Sequence, residues 1–353
     1  MEHSLMKIAI VTDAWSPQIN GVVYTLRKTI ENMEAMGHEV SVYNPSQFKT
    51  IPMPGYPEIR LALLPGRKLG RMLDNFAADA IHISTEGPIG QAARKYCLRR
   101  QLNFTTAYHT RFPEYLRLRL PIPLAMTYAF MRRFHNASNA TMVATPSLQN
   151  ELSGRGFNNL KRWSRGVDTE LFRPRDKTHL TGKRPIAVYL GRVAIEKNIR
   201  DFLELELDAT RIVIGDGPAL KELKEHYPDT TFLGYKVGED LAVHLASADV
   251  MVFPSLTDTF GLVVLEAMAC GVPVAAYPVT GPKDIIKNGV NGWVDGDLSY
   301  AVSQALTIDP EKCRSYAENY SWARAARQFV KNLVLVEDGM NRAALALDEV
   351  KSS

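Results

Sequence analysis

Little in this chain suits a secreted or membrane-spanning protein. Its 353 residues include only three cysteines, Cys97, Cys270 and Cys313. They lie far apart, so they form neither a disulfide framework nor a metal-ligand spacing, and a reducing cytoplasm is expected. No apolar run reaches the ~18 residues of a spanning helix. The longest candidate, Gly261 to Ala276, is interrupted by Glu266. The opening MEHSLMKIAIVTDAW has an acid at Glu2, a short apolar core and Asp13 directly after it, so no secretory leader is expected in it. A dinucleotide fingerprint is missing too. In IVIGDGPALKEL (212–223), Leu220 stands where the third glycine belongs, and IAIVTDAWSPQING has no such turn, so NAD is not expected. No nucleic-acid-binding module accompanies the basic residues.

What is present is a folded chain, 46% hydrophobic and 23% charged, long enough for two domains. Short continuous apolar runs alternate with helical stretches. Strands are expected at 6–13, 38–45, 80–84, 103–109 and 140–147, then at 185–193, 210–217, 230–236, 248–255 and 272–278. Helices are expected at 21–36, 87–100 and 218–226 among others. Runs that are apolar without alternation belong to strands covered on both faces, so the pattern predicts two doubly wound α/β domains. The polar stretch 160–185 reads as the linker, dividing residues 1–165 from 166–336. The stretch 320–350 reads as helical, with its final part, about 337–353, packing back on the first domain. Residues 1–165 hold 21 Lys+Arg against 11 Asp+Glu, whereas residues 166–353 hold 21 against 27. A basic first half calls for an anionic partner.

Ligands of such sheets bind outside the carboxyl ends of the strands, and the chemistry-bearing residues cluster there. In YLGRVAIEKN (189–198), Arg192 and Lys197 can neutralise a diphosphate, though a solvated surface pair has the same spelling. Pro17 and Gly21 of AWSPQINGVVYTL make an irregular loop opening a helix, which offers amides to an anion or is simply a turn. His109 ends the strand of TAYHTRF. In DTFGLVVLEAMACGVPVAA (258–276), Asp258 and Thr259 can cap a helix whose positive end carries the amides of Phe260 and Gly261. Glu266 lies further in, where ribose hydroxyls can reach its carboxylate, while Asp258 at the mouth can meet a sugar. The alternative is that Asp258 only caps and Glu266 pairs with a neighbouring helix.

Taken together, PQINGVV, AYHTRFPEYL, SRGVDTELFRP, YLGRVAIEKN, GDGPALKEL, FPSLTDTFGLVVLEAMACGVPVAAYPVTGP and KNGVNGWV resemble, in order, the motifs of the retaining family 4 glycosyltransferases. The resemblance implies the GT-B fold, two Rossmann-like domains facing a cleft. It implies a nucleotide-diphosphate sugar as donor, no cofactor and no metal. It gives Arg192 and Lys197 the donor diphosphate, and Asp258 and Glu266 the donor sugar and ribose. Those two acids are usually both Glu, and here the first is the shorter Asp. His109 falls near the reacting sugar carbon and Gly21 near the phosphates. Retention is expected by front-face departure of the diphosphate, stabilised electrostatically. Within the family, TDAWSPQINGVV and the 257–282 stretch look most like bacterial diacylglycerol glycosyltransferases and related mannosyltransferases.

A lipid acceptor also fits residues 111–136, RFPEYLRLRLPIPLAMTYAFMRRFHN, where Arg111, Arg117, Arg119, Arg132 and Arg133 flank apolar segments. LLPGRKLGRML (63–73) repeats the pattern. Basic residues beside exposed apolar ones mark interfacial membrane binding, at about 1 kcal/mol per basic residue on an anionic surface. An ordinary core helix with a basic outer face would read similarly. The expected product is a glycolipid made at the cytoplasmic face of the membrane, and two alternatives stand beside it. One is a glycosyltransferase with a soluble acceptor, the other a non-catalytic nucleotide-sugar-binding protein.

Overall fold

The computed structural model describes residues 5–53, 56–117 and 121–336. The expected helix at about 337–353, and Arg119, lie outside the described residues. In chain order the strands are β1 (Lys7–Val11), β2 (Glu39–Tyr43), β3 (Thr50–Met53), β4 (Tyr56–Ala62), β5 (Ala80–Ile83), β6 (Thr105–Tyr108), β7 (Ala140–Val143) and β8 (Leu160–Arg162). The second half contributes β9 (Ile186–Leu190), β10 (Thr210–Ile214), β11 (Thr231–Gly234), β12 (Val250–Phe253), β13 (Val274–Ala276) and β14 (Gly292–Val294). Two parallel six-stranded sheets result, ordered β2-β1-β5-β6-β7-β8 and β11-β10-β9-β12-β13-β14, and β3 pairs with β4 as a separate antiparallel hairpin.

Each sheet is covered on both faces, which explains the unbroken apolar strands. In β1, Ala9 and Val11 face Leu69 and Leu73 of the helix Gly66–Phe76 and Ile89, Ala93 and Cys97 of the helix Pro88–Arg100. Ile8 and Ile10 point the other way, as strand alternation requires, onto Leu26 and Met33 of the helix Gly21–Ala35. The same layer includes Ala326, Phe329 and Val330 of the helix Trp322–Asn332.

That last helix means that the chain recrosses between domains well before residue 336, where the second domain was expected to end. The two crossings touch: the Val167 amide donates to the Tyr320 carbonyl at 2.9 Å. A Cβ on Gly166 would lie 2.3 Å from the Trp322 nitrogen, so glycine is what lets the crossings meet. Beyond the helix, Leu335 bridges to Ala80 and the Val336 amide donates to the Asp79 carbonyl at 2.8 Å. Among the described residues of the 320–350 stretch expected to be helical, 322–332 are.

Strand order reverses between β1 and β5 in the first sheet and between β9 and β12 in the second. These switch points open crevices at the carboxyl ends of the strands, where ligands of open α/β sheets bind. The segments leaving β1, β6, β9 and β12 carry the residues singled out from the sequence.

Candidate active site

The cleft is bounded on one side by the exits of β9 and β12. After β9 the chain turns at Gly191, with φ of +153°, and the Tyr189 hydroxyl donates to the Arg192 carbonyl at 2.7 Å. The β10 turn backs this loop. A Cβ on Gly215 would fall 1.9 Å from the Gly191 carbonyl oxygen, and one on Gly217 would fall 2.3 Å from that of Val193. GDGP therefore serves the site by letting two backbones approach.

The two cations meet carboxylates. Lys197 Nζ donates to both oxygens of Asp258, at 2.7 and 2.9 Å. Burial alone would lower the ammonium's pKa, but Asp258 outweighs it and holds it above its ordinary value. Arg192 Nη2 lies 3.1 Å from Glu58 of β4, so the hairpin of the first domain reaches a cation of the second. Tyr115, on the helix Phe112–Arg117, meets Thr257 and lies in the field of Lys197 and Asp258.

After β12 the arrangement differs from the expected cap. The helix Leu262–Ala269 starts at Gly261, with φ of +91°, and no side chain caps it. Asp258 is committed to Lys197, and Thr259 donates to the His109 carbonyl at 2.7 Å. The helix start, next to buried Phe260, thus keeps its positive end free of a side-chain oxygen, which is the state an anion can use. Glu266 is on this helix. Its carboxylate has no ion pair or hydrogen bond among the described residues, and burial raises its pKa to about 7. Among the described residues, then, Glu266 does not meet the internal partner of the alternative reading. Tyr24, one turn after Gly21, feels the Glu266 charge.

On the other side, the helix Gly21–Ala35 is capped by Asn20, whose side chain accepts from the amides of Val22 and Val23. Those two amides are thus not available to an anion. Gly21 itself faces the second domain, where a Cβ would meet Leu262 Cδ1 at 3.5 Å. His109 ends β6 as expected. Burial and the Arg165 charge keep its imidazole neutral, well below the ordinary histidine range. Asp13, after β1, is buried and accepts from the amides of Ile89 and Gly90 and from the Thr85 hydroxyl, which fixes the neighbouring helix start.

The expected membrane-facing arginines divide. Arg117, Arg132 and Arg133 are exposed. Arg111 is 9% exposed and ion-paired with Glu151, which Thr280 of the second domain also contacts, so it holds structure and faces no membrane. Among the described residues no three His, Cys, Asp or Glu side chains form a metal set, and no helix is long and apolar enough to cross a membrane.

Two cations and an uncapped helix start at one strand edge, facing a neutral histidine across a cleft between parallel sheets, suit a nucleotide-sugar diphosphate. The comparisons agree. The chain matches the Glycosyltransferase Family 4 model over residues 19–171 and the Glycosyl transferases group 1 model over residues 173–319. It belongs to the family 4 glycosyltransferases. This glycosyltransferase is 29% identical to a GDP-mannose-dependent alpha-mannosyltransferase of Corynebacterium glutamicum, over 81% of this chain and 76% of that one. It is 24% identical to the alpha-monoglucosyldiacylglycerol synthase of Streptococcus pneumoniae, over 87% and 79%. Anabaena Alr3699/HepE, solved with UDP and glucose, shares the fold at a TM-score of 0.67 and 15% identity, over 92% of this chain and 98% of that one. The enzyme is thus a GT-B glycosyltransferase using a nucleotide sugar.

Proposed function

We propose that this glycosyltransferase moves a hexosyl group, with retention and without a metal, from a UDP- or GDP-sugar to diacylglycerol at an anionic membrane surface. Arg192, Lys197 and the start of the helix Leu262–Ala269 take the departing diphosphate, and Glu266 takes the ribose. Once the diphosphate supplies negative charge, Asp258 is freed in part from Lys197 to meet a sugar hydroxyl.

The observation that carries the lipid reading is an apolar and basic surface at the cleft end of the first domain. Leu64 is 96% exposed and Met126 65%, with Leu63 and Phe130 also exposed. Exposed Arg67, Lys68 and Arg71 accompany the first pair, and Arg132 and Arg133 the second. The helices Gly66–Phe76 and Leu124–His135 share one layer: Arg100 of the intervening helix binds Asp74, and Arg94 donates to the Arg133 and Phe134 carbonyls. Both precede parallel strands, so their starts, with the exposed leucines and Met126, lie toward the cleft. Stems and apolar side chains entering the headgroup region beside cations favour interfacial binding. The relative named as a diacylglycerol glucosylating enzyme points to the same acceptor.

Vesicle co-sedimentation tests the surface. Binding should require anionic lipid and weaken with salt, as the Debye length falls from about 10 Å at 0.1 M to about 3 Å at 1 M. Equal binding to neutral vesicles, or none at any salt, would favour a soluble acceptor.

A further inference from the structure

Arg165 follows β8 and is 4% exposed. Its Nη1 donates to the carbonyls of Trp163 and Ser164 at 2.8 and 3.1 Å, and the guanidinium lies over the Trp163 ring, 4.2 Å from its centroid. Among the described residues no carboxylate pairs with it. A cation taken out of water without a counter-charge is costly, and burial lowers its pKa to about 9. The remaining amine, Nη2, faces Nδ1 of His109 at 3.5 Å.

A guanidinium offers only donors. Nδ1 must therefore present its lone pair, and the neutral ring carries its proton on Nε2. Trp163 holds the same ring edge-on, with centroids 5.6 Å apart, and Thr259 holds the backbone carbonyl. Nε2 is sheltered and has no partner among the described residues. Burial first, then the charge of Arg165, resists further protonation.

We infer that Arg165 is a positioning residue that fixes His109 as the Nε2–H tautomer, so that His109 meets the donor sugar as a hydrogen-bond donor and cannot accept the acceptor's proton at Nε2. No bond forms or breaks at Arg165. The consequence for catalysis rests on the glycosyl-transfer reading, whereas the tautomer does not.

The test is ¹⁵N NMR of ring-labelled enzyme at pH 7.5, with His109→Gln for assignment. Nδ1 should resonate as an unprotonated and Nε2 as a protonated nitrogen. Arg165→Met should mix the tautomers and cut kcat roughly tenfold or more with donor Kd little changed. Arg165→Lys, which also only donates, should restore the wild-type tautomer and most of kcat. A proton on Nδ1 in the wild type, or an Arg165→Met enzyme with wild-type tautomer and kcat, would overturn the assignment. The spectrum needs no turnover, so an enzyme that transferred no sugar would refute the catalytic reading and leave this result to be judged separately.

Discussion

Glu266→Gln should stabilise the protein at pH 8 while weakening its hold on the donor. The carboxyl's pKa rises from 4.5 to about 7 through burial. A rise of that size corresponds to about 3 kcal/mol between folded and unfolded states. The folded pKa is above the unfolded one, so the contribution is fully present below pH 4.5 and is lost as pH climbs through 7. At pH 8 the wild type holds an ionised, unpartnered carboxylate in a poorly solvated place. Glutamine removes that cost, and about 3 kcal/mol is the ceiling because the residue keeps some solvent contact. Thermal melts at pH 8 should place the variant several degrees higher, and at pH 5 the two should nearly coincide. Donor affinity should fall roughly ten- to hundredfold, the scale of a lost charge-assisted hydrogen bond. Ribose hydroxyls favour the ionised form, so donor binding near pH 7 should release up to about half a proton, visible in calorimetry across buffers. A variant destabilised at pH 8, with donor affinity unchanged, would mean that Glu266 serves the fold and not the ligand.

Arg192→Ala and Lys197→Ala should each lower turnover by about 3 kcal/mol of barrier, roughly a hundredfold, with circular dichroism unchanged; near-normal rates in both would move the diphosphate elsewhere. In Lys197→Ala, Asp258 loses its counter-charge, so adding Asp258→Asn should recover stability but not rate. Activity should survive EDTA, and a complete loss restored by magnesium or manganese would refute metal-free departure. Replacing Arg117, Arg119, Arg132 and Arg133 together by Gln should release the enzyme from anionic vesicles, measured by co-sedimentation, while donor binding to the second domain persists.

The eight central strands of the two sheets were legible because each is a short apolar run, such as IAIV or VMVF, packed on both faces, and two of the edge strands, β2 and β11, were legible as well. The other two edge strands, β8 (LKR) and β14 (GWV), were not, since three residues with charged or half-exposed side chains merge with the loops. The β3–β4 hairpin, with its prolines and alternation, gave no continuous run either. In the site, the segments were legible and the partners were not. The sequence singled out Arg192, Lys197, Asp258 and Glu266, but only the fold brings Lys197 to Asp258 and Glu58 to Arg192. Arg111 looked like its exposed neighbours until Glu151, forty positions away, supplied a buried partner. Arg165 stood inside a quoted motif, SRGVD, yet nothing local says that it points at His109. The early return at Trp322 was written in the amphipathic face Ala326, Phe329 and Val330, but a helix face does not say which domain it covers.

The most direct measurement is transfer itself: purified enzyme, a panel of UDP- and GDP-hexoses, and diacylglycerol in anionic vesicles, with products read by mass spectrometry and their anomeric configuration by NMR. The account predicts a hexosyl-diacylglycerol with the donor's α-configuration, formed in EDTA. Transfer only to soluble acceptors, an inverted anomer, or donor binding without any product would contradict it.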